Sequence, residues 1–281
     1  MYVSSKSMLK DAQNKHYAVA AFNFYNLETL MAVIEAAEEE RSPVIVQIYA
    51  DHFAFYRGGG AIAKAALRLI DEASIPVCLH LDHANSYERI KYAMDLGFHS
   101  VMYDGSALPL EENIALAKKV IAEAHERGIF TEVELGRIGR ISNGTDDEIY
   151  DDCTSVEDAV RLIQESGADS LAPAIGTAHG IYKTTPKLNF RRLQEIREAV
   201  DVPLVLHGGS GIPDDMIRKS IDIGIAKINV GTELKYKWSA IFKCGLERGI
   251  KEPIALEQDA KAAVKEVARA KIRLFGSSGR V

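Results

Sequence analysis

Three histidines of this chain stand where apolar, strand-like segments give way to polar loops. His83 and His207 lie at the ends of two such segments, and His179 follows a third. Three imidazole nitrogens that converge on one point are typical of a catalytic zinc site with one coordination position left open. Magnesium or calcium would favour carboxylate ligands instead. The three side chains therefore predict a zinc site, if the fold brings the three segments together.

The other histidines lie in contexts that predict structural or surface roles. His80 stands inside an apolar run, which assigns it to the core or to the surroundings of the site. A single strand-end histidine is also more often a hydrogen-bonded structural residue than a metal ligand. The zinc hypothesis therefore depends on three histidines acting jointly, since a structural interpretation would require three coincidences. The predicted surface histidines are His16, His52, His99 and His125.

Carboxylates accompany the histidines at the same strand ends. Asp82 directly precedes His83. Neighbouring side chains on a regular strand point to opposite faces, so this pair reaches one substrate only where the chain turns. The structural alternative is a solvated Asp-His pair. Asp104 and Glu134 end two further strand-like segments and could approach a second cation, although Glu134 could instead pair with Arg137.

Two glycine-rich turns late in the chain each connect a strand-like segment to a helix-like one. The first reads Gly-Gly-Ser-Gly over residues 208–211, and the second begins at Gly231. Glycines let backbone N–H groups face an anion, and a helix N-terminus favours negative charge. The alternative is a pair of plain tight turns. The candidate phosphate contacts are Gly180, Lys183, Gly208, Gly209, Ser210, Gly231 and Thr232.

Strand-like and helix-like segments alternate along nearly the whole chain. Eight such units predict an α/β fold, a (β/α)8 TIM barrel, with an extra C-terminal helix and a single domain over 1–281. A doubly wound sheet would need a glycine-rich fingerprint after the first strand, and residues 22–26 have none. The predicted strands cover 17–23, 43–49, 76–83, 100–104, 130–136, 170–176, 203–208 and 226–230. The predicted helices cover 26–40, 61–73, 86–96, 110–127, 156–166, 190–200, 214–223, 233–248 and 256–274.

The composition excludes several classes of protein. The 281 residues are 47% hydrophobic and 26% charged, with a net charge of -6, which indicates a globular chain and disfavours a nucleic-acid binder. The apolar runs are too short for a membrane span, and the polar N-terminus lacks a signal-peptide core. Cys78, Cys153 and Cys244 are widely spaced, which predicts reduced thiols and a cytoplasmic location.

Taken together, these segments resemble the class II, metal-dependent ketose-bisphosphate aldolases over nearly the whole chain. The branch that the chain is most similar to is that of the tagatose-bisphosphate aldolases. The resemblance depends on the order and spacing of several short motifs. They are His-Leu-Asp-His at 80–83, Tyr-Asp-Gly-Ser at 103–106, Glu-Val-Glu-Leu-Gly at 132–136, Ala-Ile-Gly-Thr-Ala-His-Gly at 174–180, Leu-His-Gly-Gly-Ser-Gly at 206–211 and Lys-Ile-Asn-Val-Gly-Thr at 227–232.

The resemblance implies a role for each matching residue. His83, His179 and His207 would bind Zn²⁺, and Asp82 would exchange a proton with the aldehyde-derived oxygen. Asp104 and Glu134 match positions that hold a displaced metal. The implied contacts to dihydroxyacetone phosphate add Asn23, Asn229 and Val230 to Gly180, Gly208, Ser210, Gly231 and Thr232. A monovalent cation such as Na⁺ and a homodimer or homotetramer are further expectations.

The chain departs from the family pattern at two places. Many members carry a Gly-Gly-x-Glu-Asp stretch after the fifth strand, whose acid moves the proton of dihydroxyacetone phosphate. Here residues 139–144 read Gly-Arg-Ile-Ser-Asn-Gly, and the first acids come later. Gly231 replaces an aspartate of the fructose-bisphosphate enzymes, which favours the tagatose branch or its sugar-acid relatives. The candidate substitute bases are Asp146, Asp147 and Glu148.

These features predict a zinc-dependent aldolase that cleaves a phosphorylated ketose to dihydroxyacetone phosphate and an aldehyde. Tagatose 1,6-bisphosphate or fructose 1,6-bisphosphate is the first expectation for the substrate. The alternatives are a sugar-acid phosphate, a non-phosphorylated aldehyde partner, an isomerase or epimerase, or a sugar-phosphate-binding protein that has lost catalysis. Tyr49, His52 and Arg57, after the second predicted strand, are candidates for the aldehyde side of the site.

Overall fold

Eight parallel strands close into a barrel in the computed structural model, which describes residues 3–141 and 153–281. Two further short strands pair outside the barrel. The strands are β1 Val19–Asn23, β2 Val44–Tyr49, β3 Val77–Ala84, β4 Ser100–Tyr103, β5 Phe130–Leu135, β6 Gly139–Arg140, β7 Ser170–Pro173, β8 Ala178–His179, β9 Leu204–Leu206 and β10 Ile225–Val230. The barrel order is β1-β10-β9-β7-β5-β4-β3-β2. The predicted (β/α)8 barrel is confirmed.

Helices surround the barrel, and an additional helix follows the last barrel unit, as the sequence predicts. In the described residues they are α1 Ser5–Lys15, α2 Leu27–Glu39, α3 Ala50–Phe55, α4 Gly60–Glu72, α5 Tyr87–Asp95, α6 Leu110–Glu126, α7 Val156–Ser166, α8 Phe190–Ala199, α9 Asp214–Ile223, α10 Thr232–Glu247 and α11 Pro253–Leu274. The final helix, α11, packs beside α2, and ion pairs such as Arg269 with Glu40 line their contact. None of the described helices is long and apolar enough to cross a membrane.

Local sequence explains why the helices begin and end where they do. Ser155 caps α7 by accepting a hydrogen bond from the Asp158 N–H, and Gly167 ends it with a φ of +76°. Ser86 caps α5 in the same way through the Arg89 N–H. These residue types suit helix ends, because serine satisfies the first N–H groups of a helix and glycine tolerates the left-handed conformation.

The sequence interpretation missed α1, α3 and the β6–β8 pair. The segment that forms α1 is polar overall, but Met8, Leu9 and Ala12 share one buried face beneath the barrel. They pack there against interior residues such as Val19 and Ala226, so α1 covers the barrel floor at the amino ends of the strands. Three apolar positions in a short polar segment give a weak periodic signal, which explains the omission.

Candidate active site

The end of β3 is irregular, and this irregularity brings Asp82 and His83 to the same site. Leu81 pairs with Val101 on β4 and Ala84 pairs with Tyr103, so β3 holds one extra residue between these pairs. Such a bulge redirects side chains that would otherwise alternate between faces. His83 has a φ of +47°, a conformation that costs a non-glycine residue about 1–3 kcal/mol. The surrounding contacts of His83 therefore sustain a locally strained backbone.

The three predicted zinc ligands meet at the carboxyl ends of the strands. The candidate ligand atoms of His83, His179 and His207 all lie within 4.8 Å of one another. The ring centroid of His83 is 4.9 Å from that of His179 and 4.7 Å from that of His207. The structure thus brings together three imidazoles from β3, β8 and the loop after β9, which is the arrangement that a single divalent ion requires.

Carboxylates hold two of these imidazoles by the nitrogen that faces away from the shared centre. His83 Nδ1 lies 2.8 Å from Asp104 Oδ2, and His207 Nε2 lies 2.9 Å from Glu132 Oε1. The opposite nitrogens, His83 Nε2 and His207 Nδ1, are buried and have no hydrogen-bond partner. Carboxylate–imidazole pairs of this kind fix the tautomer and orientation of metal ligands. The orphaned nitrogens therefore fit a bound metal ion.

Glu134 lies between the same histidines. Its Oε2 is 2.9 Å from His207 Nδ1 and 3.8 Å from His83 Nδ1, but neither contact has hydrogen-bond geometry. His83, Asp104 and Glu134 also form a second group whose candidate ligand atoms lie within 4.8 Å of one another. The predicted displaced metal position therefore has suitable ligands, and it shares His83 with the first.

The carboxylates and the imidazoles of this site stabilise each other's charged forms. Burial raises the pKa of Asp104, but the contacts with His83 and Ser106 outweigh this and hold it well below its ordinary value. Burial lowers the pKa of His207, whereas Glu132 and Glu134 raise it to about 10. Carboxylates that attract a proton to this centre also attract a metal cation, and cation binding displaces the proton.

A buried lysine beneath the histidines was missed as a functional residue in the sequence interpretation. Lys227 Nζ lies 2.7 Å from Glu132 Oε2 and 3.5 Å from His80 Nε2. His80 Nδ1 lies 2.7 Å from Ser100 Oγ, so His80 is a hydrogen-bonded core residue. The sequence did contain a signal for this contact, because a lysine in an otherwise apolar strand needs a buried partner.

Asp82 is 3% exposed and is held by two amide groups. Asn23 Nδ2 donates to Asp82 Oδ2 at 2.8 Å, and Asn229 Nδ2 donates to Oδ1 at 3.2 Å. Gln47 in turn donates to Asn23 Oδ1 and fixes its orientation. Burial raises the pKa of Asp82, but the positive charges of His83, His207 and Lys227 lower it overall. The carboxylate is thus ionised and positioned to accept a proton beside the histidines.

One side of the cavity above the histidines is rich in glycine. This glycine-rich side consists of Gly180, Gly208, Ser210, Asn229, Gly231 and Thr232. Gly208 has a φ of +67°, and a Cβ there would lie 2.4 Å from the Ala178 carbonyl oxygen. A larger residue at this position would therefore displace the strand that carries His179.

Three other predicted substrate contacts lie apart from the cavity lining. The Gly209 N–H donates to the Asn229 carbonyl at 3.1 Å and so joins the loops after β9 and β10. Val230 is fully buried in the hydrophobic core, and Lys183 is exposed. Direct contact of these three residues with a ligand stays a prediction. Gly209 shapes the glycine-rich side through its backbone.

The loop after β5, where the chain departs from the family pattern, lies partly within the described residues. Gly139 pairs with Ala178, and the Ile141 N–H donates to the His179 carbonyl at 2.6 Å. The loop after β5 is therefore attached to the strand that carries a candidate metal ligand, and Ile141 lines the cavity. The candidate bases Asp146, Asp147 and Glu148 lie outside the described residues.

Another part of the cavity lining is aromatic. This aromatic side consists of Tyr25, Tyr49, His52 and Tyr236, with Lys235 beside them. The rings of Tyr49 and His83 are 5.7 Å apart, and His52 lies 5.5 Å from both Tyr49 and Tyr25. Tyr49 and His52 thus line the cavity, and their role on the aldehyde side stays a prediction. His52 and Arg57 are both exposed, and of the two only His52 lines the cavity.

Comparison with known proteins agrees with this geometry. The family model described as fructose-bisphosphate aldolase class-II matches residues 3–280. The chain belongs to the class II fructose-bisphosphate aldolase family. The aldolase is also 44% identical over 287 residues to a 6-phospho-5-dehydro-2-deoxy-D-gluconate aldolase from Bacillus licheniformis, an alignment that covers 99% of this chain and 96% of the relative.

Solved structures extend the comparison. The YdjI aldolase from Escherichia coli K12 superposes with a TM-score of 0.90 at 40% identity, covering 100% of this chain and 99% of the other. A putative fructose-1,6-bisphosphate aldolase from Coccidioides immitis gives a TM-score of 0.86 at 31% identity, covering 98% and 96%. The predicted class of enzyme, an aldolase acting as a carbon–carbon lyase, is confirmed by these relatives.

Proposed function

We propose that this aldolase uses Zn²⁺ to cleave a phosphorylated ketose reversibly into dihydroxyacetone phosphate and an aldehyde. The observation that carries the proposal is the pair of orphaned imidazole nitrogens, His83 Nε2 and His207 Nδ1, facing one centre beside the buried carboxylate of Asp82. His179 supplies the third ligand. Zinc bound by these residues would supply a Lewis acid that polarises the ketone and stabilises the negative charge left after cleavage.

The residues of the chain perform the proton transfer and the positioning. In a ketose 1-phosphate, the bond between C3 and C4 breaks, and its electron pair stays on C3. The hydroxyl proton on C4 passes to Asp82 as the aldehyde carbonyl forms. Asn23 and Asn229 hold Asp82 in place through its two oxygens. A second proton must then reach C3 to give dihydroxyacetone phosphate, and Asp146, Asp147 and Glu148 are our candidates for supplying it.

The glycine-rich side is our candidate for the phosphate. Ser210 offers a hydroxyl there, and Thr232 begins α10, whose N-terminus favours an anion. Asn229 lines the same cavity and donates to Asp82. A phosphate seated there would leave the carbonyl end of dihydroxyacetone phosphate next to the histidines. The aromatic side would then receive the aldehyde.

The substrate that we favour is a sugar-acid phosphate. The Bacillus licheniformis relative is named for 6-phospho-5-dehydro-2-deoxy-D-gluconate, and it matches almost the full length of this chain. Aldol cleavage of this compound between C3 and C4, with the ketone at C5, gives dihydroxyacetone phosphate from C4–C6 and 3-oxopropanoate from C1–C3. Tagatose 1,6-bisphosphate and fructose 1,6-bisphosphate remain candidates from the sequence, with a phosphorylated aldehyde as the second product.

Cleavage assays on a substrate panel test this proposal. We expect zinc-loaded protein to release dihydroxyacetone phosphate fastest from 6-phospho-5-dehydro-2-deoxy-D-gluconate, and more slowly from the two bisphosphates. A chelator should abolish release, and zinc should restore it where magnesium does not, because imidazole ligands favour zinc. Protein that binds zinc yet cleaves none of the three compounds would favour the alternative of a sugar-phosphate-binding protein.

A further inference from the structure

The cavity carries an asymmetric distribution of charge. Among the described residues that line it, Lys235 is the one lysine or arginine, and it belongs to the first turn of α10. It lies beside Tyr236, with its Nζ 5.8 Å from the centre of that ring. The glycine-rich side offers an anion backbone groups and a hydroxyl, and Lys235 adds an ammonium group to the same cavity lining.

The aromatic side begins at the candidate metal ligands and lines the same cavity as Lys235. Tyr49 contacts His83, His52 contacts both tyrosines, and the Tyr25 hydroxyl donates to the Gly231 carbonyl at 3.1 Å. Tyr49, His52 and Tyr25 thus form a continuous series of ring contacts that begins at His83. An aldehyde leaving the histidines along it would place its far end near His52 and Lys235.

His52 contributes a hydrogen-bonding group without a second positive charge. Burial lowers the pKa of His52, and the nearby charge of Lys235 lowers it further, so the imidazole is neutral at pH 7. Of the two side chains, Lys235 is therefore the positively charged one. A carboxylate carries one negative charge, whereas a phosphate monoester carries about −1.5 to −2 at pH 7.

We propose that Lys235 binds a carboxylate at the far end of the aldehyde half of the substrate, with His52 as a neighbouring hydrogen-bond partner. The inference rests on the proposed function and deepens it, because it assigns the residue that selects acidic aldehydes. The carboxylate would sit at the rim, and the carbonyl would lie near Asp82. Lys235 has two competing candidate ligands. One is a terminal phosphate on the aldehyde at the same place, and the other is the phosphate of dihydroxyacetone phosphate itself.

Condensation assays with Lys235→Gln separate these ligands. The condensation of dihydroxyacetone phosphate with each of three aldehydes is measured for the wild type and the variant. The aldehydes are 3-oxopropanoate, propanal and glyceraldehyde 3-phosphate. Propanal has a methyl group in place of the carboxylate of 3-oxopropanoate. We expect the variant to lose about 10–100-fold in kcat/KM for 3-oxopropanoate, as expected for a lost charged hydrogen bond. Its kcat/KM for propanal should be unchanged. Lys237→Gln, on the same helix outside the cavity lining, is the matched control and should behave as the wild type does.

Each other outcome overturns the inference in a recognisable way. An equal loss with all three aldehydes, together with a higher KM for dihydroxyacetone phosphate, would assign Lys235 to the phosphate of that substrate. A loss confined to glyceraldehyde 3-phosphate would assign it to a terminal phosphate, and no loss at all would exclude it from binding. If the zinc-loaded wild type condensed no aldehyde and exchanged no deuterium into dihydroxyacetone phosphate, the proposed function itself would fail, and this inference with it.

Discussion

Replacing Asp82 by asparagine should lower the rate of ketose cleavage by about 10²–10⁴-fold, the usual contribution of a positioned general base. The change is nearly isosteric and leaves Asn23 and Asn229 in place, but an amide cannot accept the C4 hydroxyl proton. Because that proton belongs to the aldehyde half, exchange of deuterium into dihydroxyacetone phosphate should be far less affected. Steady-state cleavage and exchange measured on the same preparations check both expectations.

Two controls show whether the effect of Asp82→Asn comes from lost proton transfer. Asp95→Asn removes a surface carboxylate that pairs with Lys91 and Arg127 and should leave both rates unchanged. The zinc content of Asp82→Asn should match that of the wild type, since the candidate ligands are histidines. Equal losses of cleavage and exchange, with zinc retained, would contradict the assignment of Asp82 to the aldehyde oxygen.

Replacing Lys227 by methionine should destabilise the protein by about 3–5 kcal/mol, the usual effect of removing one partner of a buried ion pair. Lys227 and Glu132 are each 1% exposed and lie 2.7 Å apart. Burial raises the pKa of Glu132, while Lys227 and His207 lower it overall, so the carboxylate is charged in the folded protein. Without Lys227, that charge loses its main compensation. Urea denaturation of the zinc-free proteins measures the difference.

Two further variants show whether the charge is responsible. Lys227→Met combined with Glu132→Gln removes both charges and should recover part of the lost stability, although His207 then loses its orienting carboxylate. Lys91→Met removes an exposed ion pair with Asp95 and should cost only about 0–1 kcal/mol. Denaturation midpoints that agree between Lys227→Met and Lys91→Met would refute a structural role for the buried pair.

Much of the fold follows from periodicity, because each barrel strand is an apolar run and each outer helix has one apolar face. The bounds of α7 and α9 agree with the prediction, since capping serine, proline and glycine residues flank them. The predicted ends of the strands agree less well with the structure. The predicted strand 203–208 ends at Leu206, because Gly208 turns into the left-handed region and opens the loop. Such turns depend on backbone angles that an apolar pattern does not contain.

The candidate site also combines features that the sequence predicts with features that it does not. Residue type and strand-end position were enough to select Asp82 and the three histidines. They did not reveal the bulge at His83, because nothing in the local sequence demands a left-handed histidine. The series of contacts from Ser100 through His80 and Lys227 to Glu132 was also hidden, since its four members come from four different strands. Contacts between distant strands appear only when the barrel closes.

X-ray absorption at the zinc edge of the purified protein tests the central claim most directly, because it reports the atoms around the metal. We predict about one zinc per chain with three imidazole nitrogens at about 2.0–2.1 Å, and loss of imidazole scattering in His207→Ala. Zinc bound mainly by carboxylate oxygens or by sulfur, or no tightly bound zinc at all after loading and dialysis, would contradict a site built from His83, His179 and His207.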